Sequence, residues 1–241
     1  MLLVLWDVDG TLVRTRGARI SVNAFLRALA QVADLTADLA YPTDAGGKTD
    51  EQLALEVLLA AAFDEPAARA LLPGFGSAYL KTLEAEVEQL RADLRVLPGV
   101  PEALQALQDA GVQQALLTGN LEPIARLKLT CVDLEGYFAF DVGAYGSDHA
   151  DRTRLVPVAR ERAAAVLGSA PEQVVVIGDT PRDIACARAG GARAIAVATG
   201  NYSPDDLRQH APDVLLEDLR DTQAVLRAIS GTVDLQPAPI V

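Results

Sequence analysis

The sequence predicts an α/β protein built on a doubly wound parallel sheet, with an inserted α-helical segment near its start. Three observations carry this expectation. Short stretches dominated by apolar residues, at 2–6, 112–117, 174–177, 194–198 and 214–216, read as strands buried within a sheet. From residue 97 onward these stretches alternate with helical periodicity, as parallel strands joined by crossover helices do. Residues 15–92 hold helical patterns and no convincing strand. A chain of 241 residues, 50% hydrophobic, buries a large core as one domain or as one domain carrying an insert.

The first strand, Leu2-Leu3-Val4-Leu5-Trp6, stops at Asp7-Val8-Asp9-Gly10-Thr11-Leu12. Asp7 and Asp9 leave an extended strand on opposite faces, and a turn right after Asp7, permitted by Gly10, brings both carboxylates to one cavity. The same residues also read as a strand closed by an ordinary Asp-Gly turn, and alone they do not choose. A polar, basic link at 14–19 leads to a helix at 21–33, where Val22, Phe25, Leu26, Leu29 and Ala30 recur at helical spacing. Residues 41–50 form a loop of breakers ending in Thr49 or Asp50, the N-cap of a helix carrying Leu53, Leu55, Val57 and Leu58. Pro66 opens a further helix, Pro73-Gly74 interrupts it, and residues 79–94 continue as helix.

Leu97-Pro98-Gly99-Val100-Pro101 then precedes a helix at 102–110, stopped by Gly111, and the strand at 112–117 ends at Thr118-Gly119-Asn120. A helix follows Pro123, a strand is expected at 137–142, and a loop at 143–153 leads to a helix at 155–167. The strand at 174–177 ends at Gly178-Asp179-Thr180-Pro181-Arg182-Asp183, followed by a helix at 184–189 that Gly190-Gly191 closes. Strands at 194–198 and 214–216 complete the sheet. The tail at 232–241, with Pro237 and Pro239, is expected to be disordered or packed at an edge.

A net charge of −12 argues against nucleic acid or an anionic membrane as partner, because the summed field repels polyanions. A small anionic substrate fits only where a metal or a local cation reverses that field. Cys131 and Cys186 are too few for a disulfide framework or a cysteine metal cluster and read as buried thiols. No signal peptide and no stretch of about twenty apolar residues is evident, so a soluble cytoplasmic protein is expected, as monomer or homodimer.

In a doubly wound sheet, binding residues gather at the carboxyl ends of strands. Asp7, Thr118 and Asp179 each stand just past a separate expected strand, and Arg152 and Arg154 stand just before a helix. Taken singly, Thr118 also reads as a helix N-cap and Asp183 as a helix N-terminal charge.

Together these segments resemble the haloacid dehalogenase-like hydrolases, specifically the phosphoglycolate phosphatase-like branch with a helical cap. Asp7-Val8-Asp9-Gly10-Thr11-Leu12 is similar to that family's first motif, Thr118 to its second, and Gly178-Asp179-Thr180-Pro181-Arg182-Asp183 to its fourth, in order and each after a strand. The resemblance implies a Rossmann-like core at 1–14 and 93–241 and a helical cap at 15–92. It implies a Mg2+-dependent phosphatase acting on a small phosphorylated metabolite, with Asp7 as nucleophile and Asp9 as general acid and base. Asp9 needs a raised pKa for that role, and crowding by neighbouring carboxylates is expected to push it up while metal and arginine oppose the rise. Thr118, Gly119 and Asn120 would bind the phosphoryl group. Mg2+ ligands would be Asp7, the Asp9 carbonyl and Asp179, with Asp183 assisting.

The family's third motif normally supplies a lysine ahead of a helix; here Ser147-Asp148-His149-Ala150-Asp151-Arg152-Thr153-Arg154 has none. Arg152 is assigned that positive charge in preference to Arg154, although a guanidinium fork is not equivalent to an ammonium. His149 reads as a loop residue. Lys48, within a stretch similar to the family's substrate-facing cap loop, reads equally as a substrate contact and as a surface lysine. A phosphomutase of the beta-phosphoglucomutase type shares all these motifs, and a non-catalytic phosphate-binding regulatory module is the remaining alternative.

Overall fold

The computed structural model of the protein describes residues 1–36 and 38–231, so the tail at 232–241 lies outside the described residues. The chain begins with β1 (Leu2–Trp6) and β2 (Val13–Thr15), followed by the helices α1 (Ile20–Val32), α2 (Asp50–Ala60), α3 (Glu65–Glu84) and α4 (Val87–Asp93). It returns through β3 (Leu94–Val96), α5 (Val100–Asp109), β4 (Gln113–Leu116), α6 (Glu122–Thr130) and α7 (Leu155–Leu167). It ends with β5 (Gln173–Gly178), α8 (Pro181–Ala189), β6 (Arg193–Val197), α9 (Pro204–Gln209), β7 (Val214–Leu216) and α10 (Thr222–Ser230).

Five strands form one parallel sheet in the order β4-β1-β5-β6-β7. β1 lies between β4, which follows it on one side, and β5 on the other, so the crossover direction reverses at β1. Its carboxyl end is therefore the place where an open parallel sheet leaves a crevice. The buried residues sort by the period of two. Val4, Trp6, Val175, Ile177, Ile195 and Val197 pack into one apolar layer, and Leu3, Leu5, Val174, Val176, Ala194 and Ala196 into the other. Trp6 meets its buried polar need locally, donating from Nε1 to Gln114 Oε1 at 3.2 Å, while Gln114 donates to the Leu104 carbonyl at 3.0 Å.

The structure departs from the expected elements in four places. β2 and β3 pair antiparallel, Val13 opposite Val96, and form a ribbon at the entry and exit of the helical segment. Three residues per strand are too short to carry a periodic signal. Asp93 reinforces this junction: its Oδ1 accepts from the amides of Arg16 and Ala18 at 3.1 and 2.9 Å.

Second, Pro73 does not interrupt its helix, and α3 runs through it. An interior proline costs a hydrogen bond and roughly 3 kcal/mol. Ala68, Phe75, Tyr79 and Leu83, buried on the face of α3 that packs on α1, outweigh that loss. Third, the helix expected over residues 79–94 is broken between Glu84 and Val87 into α3 and α4, and its last residue belongs to β3.

Fourth, residues 137–142 are not a strand: the chain makes two short 3-10 turns, Glu135–Tyr137 and Phe140–Val142. The segment still follows the β4 edge, with Ala139 N donating to Gln114 O at 2.9 Å and Ala144 N to Leu116 O at 2.9 Å. The two donors stand five positions apart on one side and the acceptors only two positions apart on the other, so the excess chain loops out and the ladder shrinks to a bridge at Ala144. Among the described residues no helix is long and apolar enough to cross a membrane.

Candidate active site

Asp7 is the first residue past β1. Its amide donates to Ile177 O at 2.9 Å, which continues the ladder by one residue and fixes the side chain at the crevice. The chain then turns: Leu12 N and Val13 N both donate to Val8 O, at 2.9 and 3.0 Å, and Gly10 adopts φ +92°. This turn brings both carboxylates to the same cavity, of about 500 Å³. Asp7 is 5% exposed, whereas the Asp9 side chain is 45% exposed and faces the open space.

Asp179 arrives from the end of β5, its Oδ1 accepting from Thr11 Oγ1 at 3.1 Å. It sits between two glycines: a Cβ on Gly10 would stand 2.4 Å from Asp179 Oδ2, and one on Gly200 only 1.7 Å from it. Asp183, in the first turn of α8, belongs to a capping box, its Oδ2 accepting from Thr180 N and Thr180 Oγ1 at 3.0 and 2.7 Å. Its other oxygen accepts from Arg152.

Arg152, preferred to Arg154 on the sequence, lies at this crevice. It is buried, donating from Nη2 to Asp7 Oδ1 at 2.7 Å and from Nη1 to Gly47 O at 3.1 Å, so one guanidinium spans the sheet crevice and the loop before α2. Arg154 points elsewhere and is exposed. His149 accepts from Asp151 N through Nδ1 and does not line the cavity, as a loop residue should.

Thr118, at the end of β4, is fully buried and does not cap α6, whose N-cap is Leu121. Its Oγ1 accepts from Asn120 N and Asn120 Nδ2 at 3.3 and 2.9 Å. Among the described residues the amides of Val8 and Gly119 have no protein acceptor, so two backbone donors remain free beside the carboxylates. Asn120 lines the cavity, but its amide is engaged within the protein, donating to Asp9 Oδ2 at 2.7 Å and accepting from Lys128 at 2.7 Å. Lys48 also lines the cavity, with its ammonium paired to Asp44 at 2.8 Å and Glu56 at 2.7 Å.

Two buried residues at the site escaped the sequence reading. Lys128, on α6, donates to Asp9 Oδ2 at 2.6 Å. The signal available was a lone cation on the otherwise apolar face formed by Ile124, Ala125 and Leu129. Asp50, beside the Thr49 N-cap of α2, accepts from Leu121 N at 2.9 Å, while its own amide donates to Gly119 O at 2.8 Å. These two bonds dock the loop before α2 onto the end of β4.

The electrostatics decide between the opposing influences on Asp9. Burial pushes the Asp9 carboxyl up, but the charge and hydrogen bond of Lys128 and the amide of Asn120 outweigh it and hold the group below its ordinary value. Asp7 moves the other way: burial and the Asp183 charge prevail over Arg152 and push it up to about 7. Asp179 is pushed well above its ordinary value by burial and by the charges of Asp7 and Asp183.

Asp7, Asp179 and Asp183 offer carboxylate oxygens within 4.8 Å of one another. All three are buried, and among the described residues Arg152 is the one cation in contact with them. An all-oxygen donor set with uncompensated negative charge suits a hard divalent cation. Asp7 and Asp179 are the more available ligands, because both Asp183 oxygens already have partners.

Asp50 gives a separate pH prediction. Burial pushes its carboxyl up to about 6 against the pull of Lys128. A carboxyl raised on folding costs no stability below about pH 4 and costs progressively more as pH rises through 6. Asp50→Asn keeps an acceptor for Leu121 N–H and is expected to stabilise the protein by about 2 kcal/mol at pH 8 and negligibly at pH 4, read by thermal unfolding.

A family model for haloacid dehalogenase-like hydrolase matches residues 1–191. The phosphoglycolate phosphatase of Pseudomonas syringae pv. tomato is 27% identical over 235 residues, covering 97% of this chain and 80% of that protein. An N-acetylmuramic acid 6-phosphate phosphatase of Pseudomonas aeruginosa is 28% identical over 228 residues, covering 92% of this chain and 93% of that one. A predicted phosphatase from Clostridium acetobutylicum, solved by crystallography, shares the fold with a TM-score of 0.66 at 18% identity, over 93% of this chain and 98% of that one. The motifs at three strand ends, their convergence on one crevice and the match over most of the chain agree: this chain belongs to the haloacid dehalogenase-like hydrolase family.

Proposed function

We propose that this protein is a Mg2+-dependent phosphatase that hydrolyses a small phosphate monoester through an aspartyl-phosphate on Asp7. The observation that carries this reading is the position of Asp7, buried at the carboxyl end of β1 and held by Arg152 Nη2 at 2.7 Å, with Asp9 open to the same cavity. In the first half-reaction an Asp7 carboxylate oxygen attacks phosphorus, the bond to the leaving oxygen breaks, and Asp9 gives that oxygen its proton. In the second, Asp9 takes a proton from water as the water oxygen attacks phosphorus, and the bond to Asp7 breaks, releasing inorganic phosphate. The proton gained here is the one donated in the next cycle.

Lys128 and Asn120 both bind Asp9 Oδ2, which leaves Oδ1 to meet the reacting groups. A phosphate dianion entering beside Asp9 adds negative charge and pulls its carboxyl back up, toward the protonated form the first half needs. The free amides of Val8 and Gly119, with Arg152, suit stabilisation of the phosphoryl oxygens. Mg2+ held by Asp7, the Asp9 carbonyl and Asp179, with Asp183 behind them, would neutralise the phosphoryl charge that the acidic cavity otherwise repels. Residues 15–92 act as a helical cap, its loop resting on the core through Gly47, Arg152, Asp50 and Gly119.

A panel of phosphomonoesters tests this. Phosphate release is expected with Mg2+, should disappear with EDTA and should return on adding Mg2+ in excess. A panel in which no ester releases phosphate in Mg2+ contradicts the reading, and isomerisation of a sugar phosphate without phosphate release favours the mutase.

A further inference from the structure

The cavity extends beyond Asp9 into a chamber that none of the proposed chemical steps uses. One wall is aromatic. Phe25 meets Tyr41 and Tyr79 edge-on at ring distances of 5.3 and 5.5 Å, and Tyr79 stacks on Phe75 at 5.6 Å. Into the same cavity come the side chains of Ser21, Tyr41, Asp50 and Tyr79. Among the described residues the buried Ser21 hydroxyl has no partner, and neither tyrosine hydroxyl has one. Ser21, Asp50 and Tyr79 are all more than nine-tenths buried, and among the described residues one Asp50 oxygen is without a donor. Buried polar groups left unpaired in a folded protein call for a partner.

The chamber's charges narrow the chemistry of that partner. Lys48 is neutralised by Asp44 and Glu56, and Lys128 by Asp9. Arg14 is half-buried and held by three neutral acceptors, Thr199 O, Gly200 O and Asn201 Oδ1, and Arg16 lines the cavity as an exposed side chain. The buried part therefore offers hydroxyl donors and acceptors, a carboxylate and aromatic faces, and among the described residues each buried cation lining it is already paired with an acid. We infer that the leaving group held in this chamber is neutral and hydroxyl-rich, of sugar or polyol type, and does not carry a carboxylate. Hydroxyls of such a group would pair with Ser21, Tyr79 and Asp50, and its C–H faces would lie on the aromatic wall. A carboxylate in the same place would meet Asp50 unpaired, a repulsion that rejects it.

This inference rests on the phosphatase reading, and the test separates the two. Matched pairs differing only by CH2OH against COO− are sn-glycerol 3-phosphate with 3-phosphoglycerate, and sorbitol 6-phosphate with 6-phosphogluconate. Acetyl phosphate, whose leaving group has no hydroxyl, gauges the phosphoryl end alone. The neutral member of each pair is expected to have the higher kcat/KM by about tenfold or more. Ser21→Ala and Tyr79→Phe should each lower kcat/KM for the polyol phosphates relative to acetyl phosphate by about fivefold. Asp50→Asn should narrow the neutral-over-carboxylate preference, and thermal unfolding checks that each variant is folded. Preference for the carboxylated member, or unchanged ratios in the Ser21 and Tyr79 variants, overturns the inference while phosphatase activity stands. Failure to release phosphate from every ester, acetyl phosphate included, overturns both.

Discussion

Asp7→Asn is expected to lower phosphate release at least ~10^4-fold, the scale on which an enzyme loses rate when its covalent nucleophile is removed. The amide oxygen of asparagine still accepts from Arg152 Nη2, which stands 2.7 Å from Asp7 Oδ1, so the packing around β1 has no reason to change. Removing a carboxyl that burial and Asp183 push up to about 7 also takes away repulsion. The melting temperature in EDTA should therefore hold or rise while activity vanishes. Activity near that of the parent protein refutes the covalent mechanism. A fall in melting temperature instead shows that the ion pair to Arg152, more than the hydrogen bond, holds this part of the crevice.

Arg152→Ala is expected to cost both stability and rate. The side chain is 6% exposed and touches Asp7, Asp183, Leu117 O and Gly47 O, and burial opposes its charge while Asp183 and Asp7 favour it. Removing one member of a buried ionic cluster leaves the others uncompensated, at a cost of about 3–5 kcal/mol by chemical denaturation. Turnover should fall on the order of 10^2- to 10^3-fold, as when a charge stabiliser of a transition state is removed. Arg152→Lys keeps the charge but cannot reach Gly47 O and the carboxylates as one planar fork, so it should recover part of the rate and less of the stability. The exposed Arg154, replaced by alanine, should change stability by under ~0.5 kcal/mol. Equal effects at the two positions would refute the assignment of the third motif's charge to Arg152.

The central strand was legible because its signal is local: five apolar residues ended by two aspartates and a glycine. The helix expected at 155–167 has those bounds in the structure, Leu155–Leu167, and closes on Gly168 in the left-handed region. Residues 137–142 misled because Phe138, Phe140 and Val142 alternate as a strand would, while the spacing of acceptors on β4 forced the chain into 3-10 turns. Pro73 misled for the opposite reason, since its local penalty was overridden by the packing of α3 on α1.

By itself the sequence determined the alternation of strand and helix, and with it the strand ends at which Asp7, Thr118 and Asp179 stand. Periodicity and turn chemistry act over a few residues and are written where they operate. Only the tertiary structure decided that Arg152 and not Arg154 reaches Asp7, across 145 positions, and that Lys128 reaches Asp9, across 119. The same holds for the unpaired hydroxyls of Ser21 and Tyr79, which share a cavity with that carboxylate. Those partners are selected by the order of strands in the sheet and by the seating of the helical segment on it. Neither leaves a trace in the spacing of neighbouring residues, yet together they set the charge on Asp9 and the chemistry of the chamber above it.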